Sequence, residues 1–280
     1  EKLYMKKIYI AIPVLAMLFI ACDPTTEDYG SAGPNITKEG LTSELQLTPK
    51  SVGNNNITVT TSPTRYIKVY DGVTNNLLGE GTSPTIQITP PTTVASFYVS
   101  TINQDGSIIT SSAKSIDIKE YTDLPKLYYK VFGDDLSTTT WTWDTSASDG
   151  VWGNGGYLEN TGPGWWVVSA ADIDTQASDK GFASDGANGW FSLSLSGVNT
   201  SRGETGSVKV TEDMVKANWD IGTMTFSGTI PLLGIQPNKD NARQYVYQVL
   251  KADGTYLRLC APEPGAGDWG TAWFWNFKKK

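Results

Sequence analysis

The sequence predicts an all-β protein with two domains, an N-terminal immunoglobulin-like sandwich followed by a larger jelly-roll-like β-sandwich. The 280 residues include 28 glycines and 14 prolines, and only 18% are charged, which is typical of short strands joined by many turns. Apolar and polar residues alternate with a period of two in short runs along the chain. All ten tryptophans lie between Trp141 and Trp275, so the composition changes partway along the chain and indicates a domain boundary.

Residues 1–21 have the features of an export signal. Lys6 and Lys7 precede a mostly apolar run that is shorter than the roughly 20 residues of a membrane-spanning helix. The run ends at an Ala-Cys junction that resembles a bacterial lipobox, with Phe19 where leucine is usual. The resemblance implies cleavage before Cys22 and lipidation of that cysteine. A signal without lipidation is the alternative.

Two segments lead from this signal into the folded part of the chain. Residues 22–36 contain Pro, Thr, Gly, Ser and acidic residues without an apolar period, and we expect a flexible tether there. Residues 37–119 contain about seven short alternating runs with Asp-Gly turns between them, which is typical of an immunoglobulin-like sandwich. A short linker at residues 120–125 follows.

The second domain is predicted to comprise residues 125–280. Roughly nine or ten strand-like runs over this length suggest a jelly-roll-like double sheet. The first of these runs, residues 127–132, is predicted to be a strand. We expect helical turns only at residues 170–178 and 212–218.

The composition excludes several classes of chemistry. The chain has no histidine, so the usual general base at neutral pH and the commonest zinc ligand are missing. A net charge of −7 disfavours nucleic-acid binding. No phosphate-binding or dinucleotide glycine motif is present, and Cys260 is predicted to be a buried apolar residue. We therefore predict no catalytic residue, with a carboxylate-pair glycosidase as the less favoured alternative.

No cofactor is predicted, with one reservation about calcium. Asp172, Asp174 and Asp179 could supply oxygen ligands to Ca²⁺, although they lack the Asp-x-Asp-x-Asp-Gly loop.

Several tryptophans are expected to face the core. Trp141 and Trp143 share one face of a run whose other face is polar, so they are predicted to point inward. Trp273 and Trp275 share a face with Phe277, and Phe274 on the other face predicts a strand that is buried on both sides.

The remaining aromatic residues are not assigned to a core by strand geometry. Trp165 and Trp166 are neighbours, so an extended strand would turn them to opposite faces, while Trp152 and Trp269 lie in glycine-rich segments predicted to be loops. A flat ring can cover the C–H face of a pyranose while amide and carboxylate groups bind its hydroxyls. The alternative is that these rings fold back over the end of the sandwich. The predicted ligand-binding residues are Trp152, Tyr157, Trp165, Trp166 and Trp269, with Asp149, Asn154 and Asp268 as hydrogen-bonding partners.

The order of lipobox, acidic tether, immunoglobulin-like module and Trp-rich sandwich resembles the SusE/SusF-like surface glycan-binding lipoproteins of starch-utilisation-type systems. The motifs that carry the resemblance are WTWD at 141–144, GVWGNGGY at 150–157, GPGWW at 162–166, PEPGAGDWG at 262–270 and WFW at 273–275. The chain departs from that class in having one candidate binding module where the class often has several.

The resemblance implies a lipid-anchored protein on the outer surface of the outer membrane. It would bind oligo- or polysaccharide without catalysis, near outer-membrane transporter components, with no nucleic-acid partner and with membrane contact only through its lipid. The alternative is a structural or adhesive envelope protein without a sugar site.

Overall fold

The computed structural model describes residues 34–280, and the all-β fold class predicted from the sequence is confirmed. The predicted signal of residues 1–21 and the predicted lipidation site Cys22 lie outside the described residues. Within the described part of the chain, no helix is both long and apolar enough to cross a membrane.

The end of the predicted tether differs from expectation. Ile36 N donates a hydrogen bond to Asn103 Oδ1 at 2.9 Å, and Asn103 Nδ2 donates to Ile36 O at 3.1 Å. Asn35 Nδ2 donates to Asp105 Oδ2 at 2.7 Å. Residues 35 and 36 are therefore held against the first domain, where the tether was expected to continue.

The first domain contains one helix and eight strands arranged in two antiparallel sheets. The elements are α1 Lys38–Glu44, β1 Leu45–Pro49, β2 Asn56–Thr61, β3 Ile67–Asp71, β4 Leu77–Gly81, β5 Thr85–Gln87, β6 Val94–Ile102, β7 Ile108–Thr110 and β8 Lys114–Asp117. One sheet has the order β1-β2-β5, and the other has the order β4-β3-β6-β7 with β8 also paired to β6. Alternate residues such as Ile57, Val59, Phe97 and Val99 are fully buried, so the period-two pattern forms the core.

The segment that joins the domains is helical, whereas a strand was predicted at residues 127–132. The helix is α2, Lys126–Phe132. Its buried residues are Leu127, Tyr128, Val131 and Phe132. They are spaced as on one face of a helix, but in a mostly apolar run this spacing does not stand out from the sequence. The Tyr128 hydroxyl donates to Pro90 O at 3.0 Å in the first domain and accepts from Val210 N at 3.2 Å in the second.

The second domain contains twelve strands, one further α-helix and two short 3-10 helices, Ala183–Asp185 and Pro237–Lys239. The elements are β9 Thr139–Trp143, β10 Trp152–Gly156, β11 Trp166–Val168, α3 Ile173–Asp179, β12 Phe191–Ser194, β13 Gly197–Thr200, β14 Thr205–Thr211, β15 Thr223–Ser227, β16 Ile235–Gln236, β17 Ala242–Arg243, β18 Val246–Ala252, β19 Tyr256–Pro262 and β20 Thr271–Lys279. The helical turn predicted at residues 170–178 is thus present as α3, whereas the one predicted at residues 212–218 is not a helix, with only a bend and a turn at residues 215–218.

Strand pairing closes the second sheet on itself. Its order runs β11-β10-β20-β19-β18-β15-β14-β13-β12-β9, and β9 also pairs with β20. Strand β20 accommodates two neighbours on one side, since Thr271 to Trp275 pair with β10 and Phe277 to Lys279 pair with β9. The eight strands from β20 round to β9 thus enclose the core, and β10 and β11 extend the sheet beyond the ring.

The predicted core tryptophans lie inside this ring. Trp141, Trp143, Trp273 and Trp275 are all at most 2% exposed and belong to one apolar cluster. The opposite face of β20 is also covered, because Phe274 packs with Cys260, Ala272, Tyr157 and Trp219 in a separate cluster. Cys260 is fully buried, and burial raises the pKa of its thiol.

A charged network lies at the edge of the core. Arg202 Nη1 is 2.6 Å from both carboxylate oxygens of the fully buried Asp185, and Leu233 N donates to Asp185 Oδ2 at 2.7 Å. Burial raises the pKa of Asp185, although Arg202 opposes this. Arg243 binds Glu204 at 2.6 Å, and this hydrogen bond is the main cause that lowers the pKa of Glu204 to about 2.

Candidate functional site

The candidate site is built on β10, whose residues alternate between the two faces of the sheet. Residue pairing puts Asn154 opposite Trp166 on one neighbouring strand and opposite Trp273 on the other. Directly paired residues share a face, so these three side chains form a row across the sheet. Trp152 follows in the next row, and Gly156 occupies the same face on the other side of Asn154.

Two residues predicted to bind ligand are instead buried. Trp152 is 0% exposed and its ring centroid lies 5.6 Å from that of Trp166 and 5.4 Å from that of Trp273. Tyr157 is 8% exposed and packs edge-on against Trp219 at 5.5 Å. Their glycine-rich segment was expected to be a loop, but β20 pairs with it and makes it a strand. These two rings are therefore packed inside the protein and are not exposed as the sequence predicted.

Three predicted tryptophans are exposed. Trp165, Trp166 and Trp269 have 53%, 38% and 59% of their surface accessible, which is uncommon for such large apolar side chains. Trp166 is exposed on one side and supported on the other, because its ring also contacts Trp273 at 5.9 Å between centroids.

Trp269 lies on the same side of β10 as Trp166. A Cβ atom added to Gly156 would lie 2.6 Å from Trp269 Cε3, so the indole covers the glycine on the face that Asn154 occupies. The backbone of Trp269 is fixed by hydrogen bonds in both directions with the neighbouring segment, from Trp269 N to Tyr157 O at 3.1 Å and from Tyr157 N to Gly270 O at 2.7 Å.

The backbone of Trp269 is itself unusual. Its φ of 60° lies in the left-handed region, where a bulky residue is an outlier that costs about 1–3 kcal/mol. Such strain persists where the surrounding structure imposes it, and it is concentrated at functional sites. We call Trp166, Trp269 and the intervening Asn154 the tryptophan surface.

The polar groups around the tryptophan surface differ in role. Asn154 Oδ1 accepts from Trp166 N at 3.1 Å and so positions the ring, while no acceptor among residues 34–280 engages its Nδ2 donors. Asp268 is exposed beside Trp269. Lys180 Nζ lies 5.9 Å from the Trp166 ring centroid and 5.6 Å from that of Trp152. Lys180 was missed from the sequence, because only the packing of the α3 segment brings it to these rings.

Asp149 is not part of the tryptophan surface. It forms an ion pair with Arg258, whose Nη1 lies 3.1 Å from Asp149 Oδ2, and it also accepts from Asn276 Nδ2 at 3.2 Å. These residues lie on the β19 and β20 face opposite Trp273 and Trp275, since Arg258 and Asn276 are directly paired there. The structure therefore separates Asp149 from the other predicted partners.

Two of the three acidic residues considered for calcium have protein partners. Asp172 Oδ2 accepts from the Ser169 hydroxyl at 2.6 Å, and Asp174 Oδ1 accepts from Ala187 N at 2.7 Å. No cluster of three or more acidic, cysteine or histidine residues suited to a metal ion occurs in the described part of the chain. The calcium site that includes Asp179 stays a prediction.

Comparison with known proteins adds no assignment. No protein-family model matches this chain, and no curated protein matches it at a significant level.

Proposed function

We propose that the protein is a non-catalytic cell-surface lipoprotein that binds oligo- or polysaccharide at the tryptophan surface. The observation that carries the proposal is the arrangement of two half-exposed indoles, Trp166 and Trp269, on one side of β10. Trp166 is paired with Asn154, and Trp269 covers Gly156 two residues further along the same face of β10. This arrangement suits the apolar faces of successive sugar rings, with the Asn154 amide available to their hydroxyls.

The rings are held before any ligand arrives. Trp166 is supported by the buried rings of Trp152 and Trp273, and Trp269 is supported by Gly156 and the backbone bonds to Tyr157. Ordering a side chain at an interface costs about 0.5–1.5 kcal/mol, and a ring that is already fixed avoids most of this cost. Preorganisation therefore favours binding over a purely structural role for exposed indoles.

The proposal predicts that the two rings of the tryptophan surface contribute to affinity and Trp165 does not. Trp166→Ala and Trp269→Ala should each weaken oligosaccharide binding by about 1–3 kcal/mol, the range for burying such a side chain. Trp165→Ala is the matched control, because the exposure of Trp165 lies between those of Trp166 and Trp269 but the residue lies in a bend outside the row of β10. A glycan array followed by calorimetric titration measures this. Equal losses in all three variants would contradict the assignment of the site.

The proposed location rests on the lipobox and leads to a second prediction. Cys22→Ala should move the protein from the detergent phase to the aqueous phase in detergent phase separation. The melting temperature should not change, because the buried core of residues 34–280 starts at Leu41. Cys260→Ala is the control for cysteine loss, since that thiol is buried, and it should leave the partitioning unchanged. Unchanged partitioning of Cys22→Ala would rule out the lipid anchor.

A structural or adhesive role is the second candidate, and one feature of the first domain favours it. Val73, Leu78 and Val94 are exposed and line a common groove of about 380 Å³ with Ile86 and Ile88. Exposed apolar residues that lie together are typical of protein contacts. A glycan array without any bound sugar would favour this candidate over the first.

A further inference from the structure

A polar cavity of about 230 Å³ lies on the outer face of the second domain, away from the tryptophan surface. The loop between β9 and β10 forms one wall, and the ends of β19 and β20 form the other. Its lining residues include Asp144, Ser148, Asp149, Tyr256, Arg258 and Asn276. The cavity is smaller than the roughly 300–1,000 Å³ of pockets for drug-sized ligands, so it suits one small ring rather than a chain.

One wall of the cavity is rigid and internally neutral. Arg258 binds both oxygens of Asp149, with Nη2 to Oδ1 and Nη1 to Oδ2 both at 3.1 Å, and it donates to Thr161 O at 2.8 Å. Asn276 Nδ2 donates to Asp149 Oδ1 at 3.2 Å and to Gly150 O at 2.6 Å. A two-point pair with these additional bonds keeps its geometry in the absence of ligand.

The carboxylate of Asp144 keeps one acceptor open in the lining of the cavity. Asp144 Oδ1 accepts from Ser146 N at 3.0 Å and from Ser146 Oγ at 2.6 Å, whereas no donor among residues 34–280 reaches its second oxygen. Asn276 is 2% exposed, and its Oδ1 is buried without a donor in the described part of the chain. Because Asn276 Oδ1 is closed off from solvent, the free oxygen of Asp144 is the acceptor that a ligand with a hydroxyl donor would engage.

Charge and shape narrow the class of ligand further. Lys251 Nζ lies over the Tyr256 ring at 4.5 Å from its centroid and 3.2 Å from Asp253 Oδ2, and Arg258 is paired with Asp149, so both cations of the lining have carboxylate partners. The open oxygen of Asp144 opposes a bound anion. A neutral ring with hydroxyl donors fits this lining, with the half-exposed Tyr256 as a flat wall.

We propose that this cavity is a second binding site, which takes a single sugar unit through a hydroxyl donor to Asp144. The choice of a sugar as the ligand of this cavity rests on the proposed function. It adds recognition of one terminal unit to the stacking of a chain on the tryptophan surface.

The sharpest variant is Asp144→Asn. The asparagine oxygen can still accept from Ser146 and keep the turn, while the second oxygen becomes an NH₂ donor that repels a hydroxyl hydrogen. Saturation-transfer NMR on the full chain with methyl glycosides of glucose, galactose, mannose, xylose and N-acetylglucosamine measures binding. We expect the wild type to bind at least one of them, and Asp144→Asn to bind it about tenfold more weakly with an unchanged melting temperature.

Trp269→Ala separates this proposal from the previous one, because it should leave binding of the methyl glycoside unchanged. If no methyl glycoside gives saturation transfer while oligosaccharide binding depends on Trp269, the cavity proposal fails and the proposed function stands. Binding of a methyl glycoside that is lost in Asp144→Asn, without any oligosaccharide binding at Trp269, supports the cavity alone. Equal binding by the wild type and Asp144→Asn overturns the cavity proposal.

A second variant covers the case in which Asp144→Asn does not fold. Ser148 is exposed at the rim of the cavity, so Ser148→Phe should block entry without disturbing the core. Binding of a methyl glycoside by Ser148→Phe with wild-type strength also overturns the proposal.

Discussion

Arg202→Met should lower the free energy of unfolding by about 3–5 kcal/mol, the usual cost of removing one partner from a buried ion pair. Methionine keeps most of the apolar stem, so the loss arises from charge and hydrogen bonding rather than from volume. Asp185 would remain fully buried with only Leu233 N as a donor, at 2.7 Å. Urea unfolding at neutral pH, followed by tryptophan fluorescence, measures the change.

The direction in which pH changes the stability deficit of Arg202→Met follows from the pKa of Asp185. Burial already raises this pKa in the presence of Arg202, and removal of the guanidinium raises it further. A raised folded-state pKa favours the protonated form, so the stability deficit of Arg202→Met relative to the wild type should shrink as the pH falls toward the pKa of Asp185.

Two further variants test whether the unpaired buried charge causes the loss of stability in Arg202→Met. The double variant Arg202→Met, Asp185→Asn should regain part of the loss, because no charge then remains unpaired in the core. Arg243→Ala is the exposed counterpart, with a side chain that is 36% exposed, and it should cost only about 0–1 kcal/mol. A loss in Arg202→Met no larger than that in Arg243→Ala would contradict a structural role for the buried pair.

Trp152→Ala should cost about 3–5 kcal/mol of stability, as truncation of a core tryptophan usually does. The ring is fully buried against Trp166 and Trp273, so alanine would leave a cavity beneath the tryptophan surface. We also expect weaker oligosaccharide binding, since Trp166 would lose its support. Trp269→Ala should destabilise the protein far less, because most of that ring is already in solvent.

Trp152→Phe is the matched control for this prediction. The indole Nε1 of Trp152 is buried without an acceptor among residues 34–280, so phenylalanine removes an unsatisfied donor while keeping an aromatic ring. Thermal and urea unfolding of the three variants should rank Trp152→Ala as the least stable. If Trp269→Ala were the least stable, Trp269 would be the structural residue and Trp152 would not.

In the second domain, the direction of several side chains follows from the local sequence pattern alone. The inward direction of Trp141, Trp143 and Trp275 could be read from residues i and i+2, because a strand turns alternate side chains to one face. The same rule assigned Phe274 to a covered outer face. For these positions, a few neighbouring residues are enough to predict which face of the strand each side chain occupies.

The glycine-rich segment at 152–156 could not be interpreted in this way. Glycine is compatible with a loop or a strand, and the choice was made by β20, more than a hundred residues later in the chain. That pairing buried Trp152 and left Trp166 at the exposed end of a supported row. Helix α2 was missed for a related reason, since a six-residue, mostly apolar run fits either a helical or a strand period until its packing is known.

The sequence by itself determined the all-β class, the alternating cores of the two domains and the group of aromatic residues from which a binding surface could be formed. Only the tertiary structure decided which of those rings are exposed, that Asp149 belongs to a cavity with Arg258 and Asn276, and that Lys180 lies against the tryptophan rings. The physical reason is that strand direction is a local property of the backbone. Pairing between strands and the covering of one segment by another depend on contacts between residues far apart in the chain.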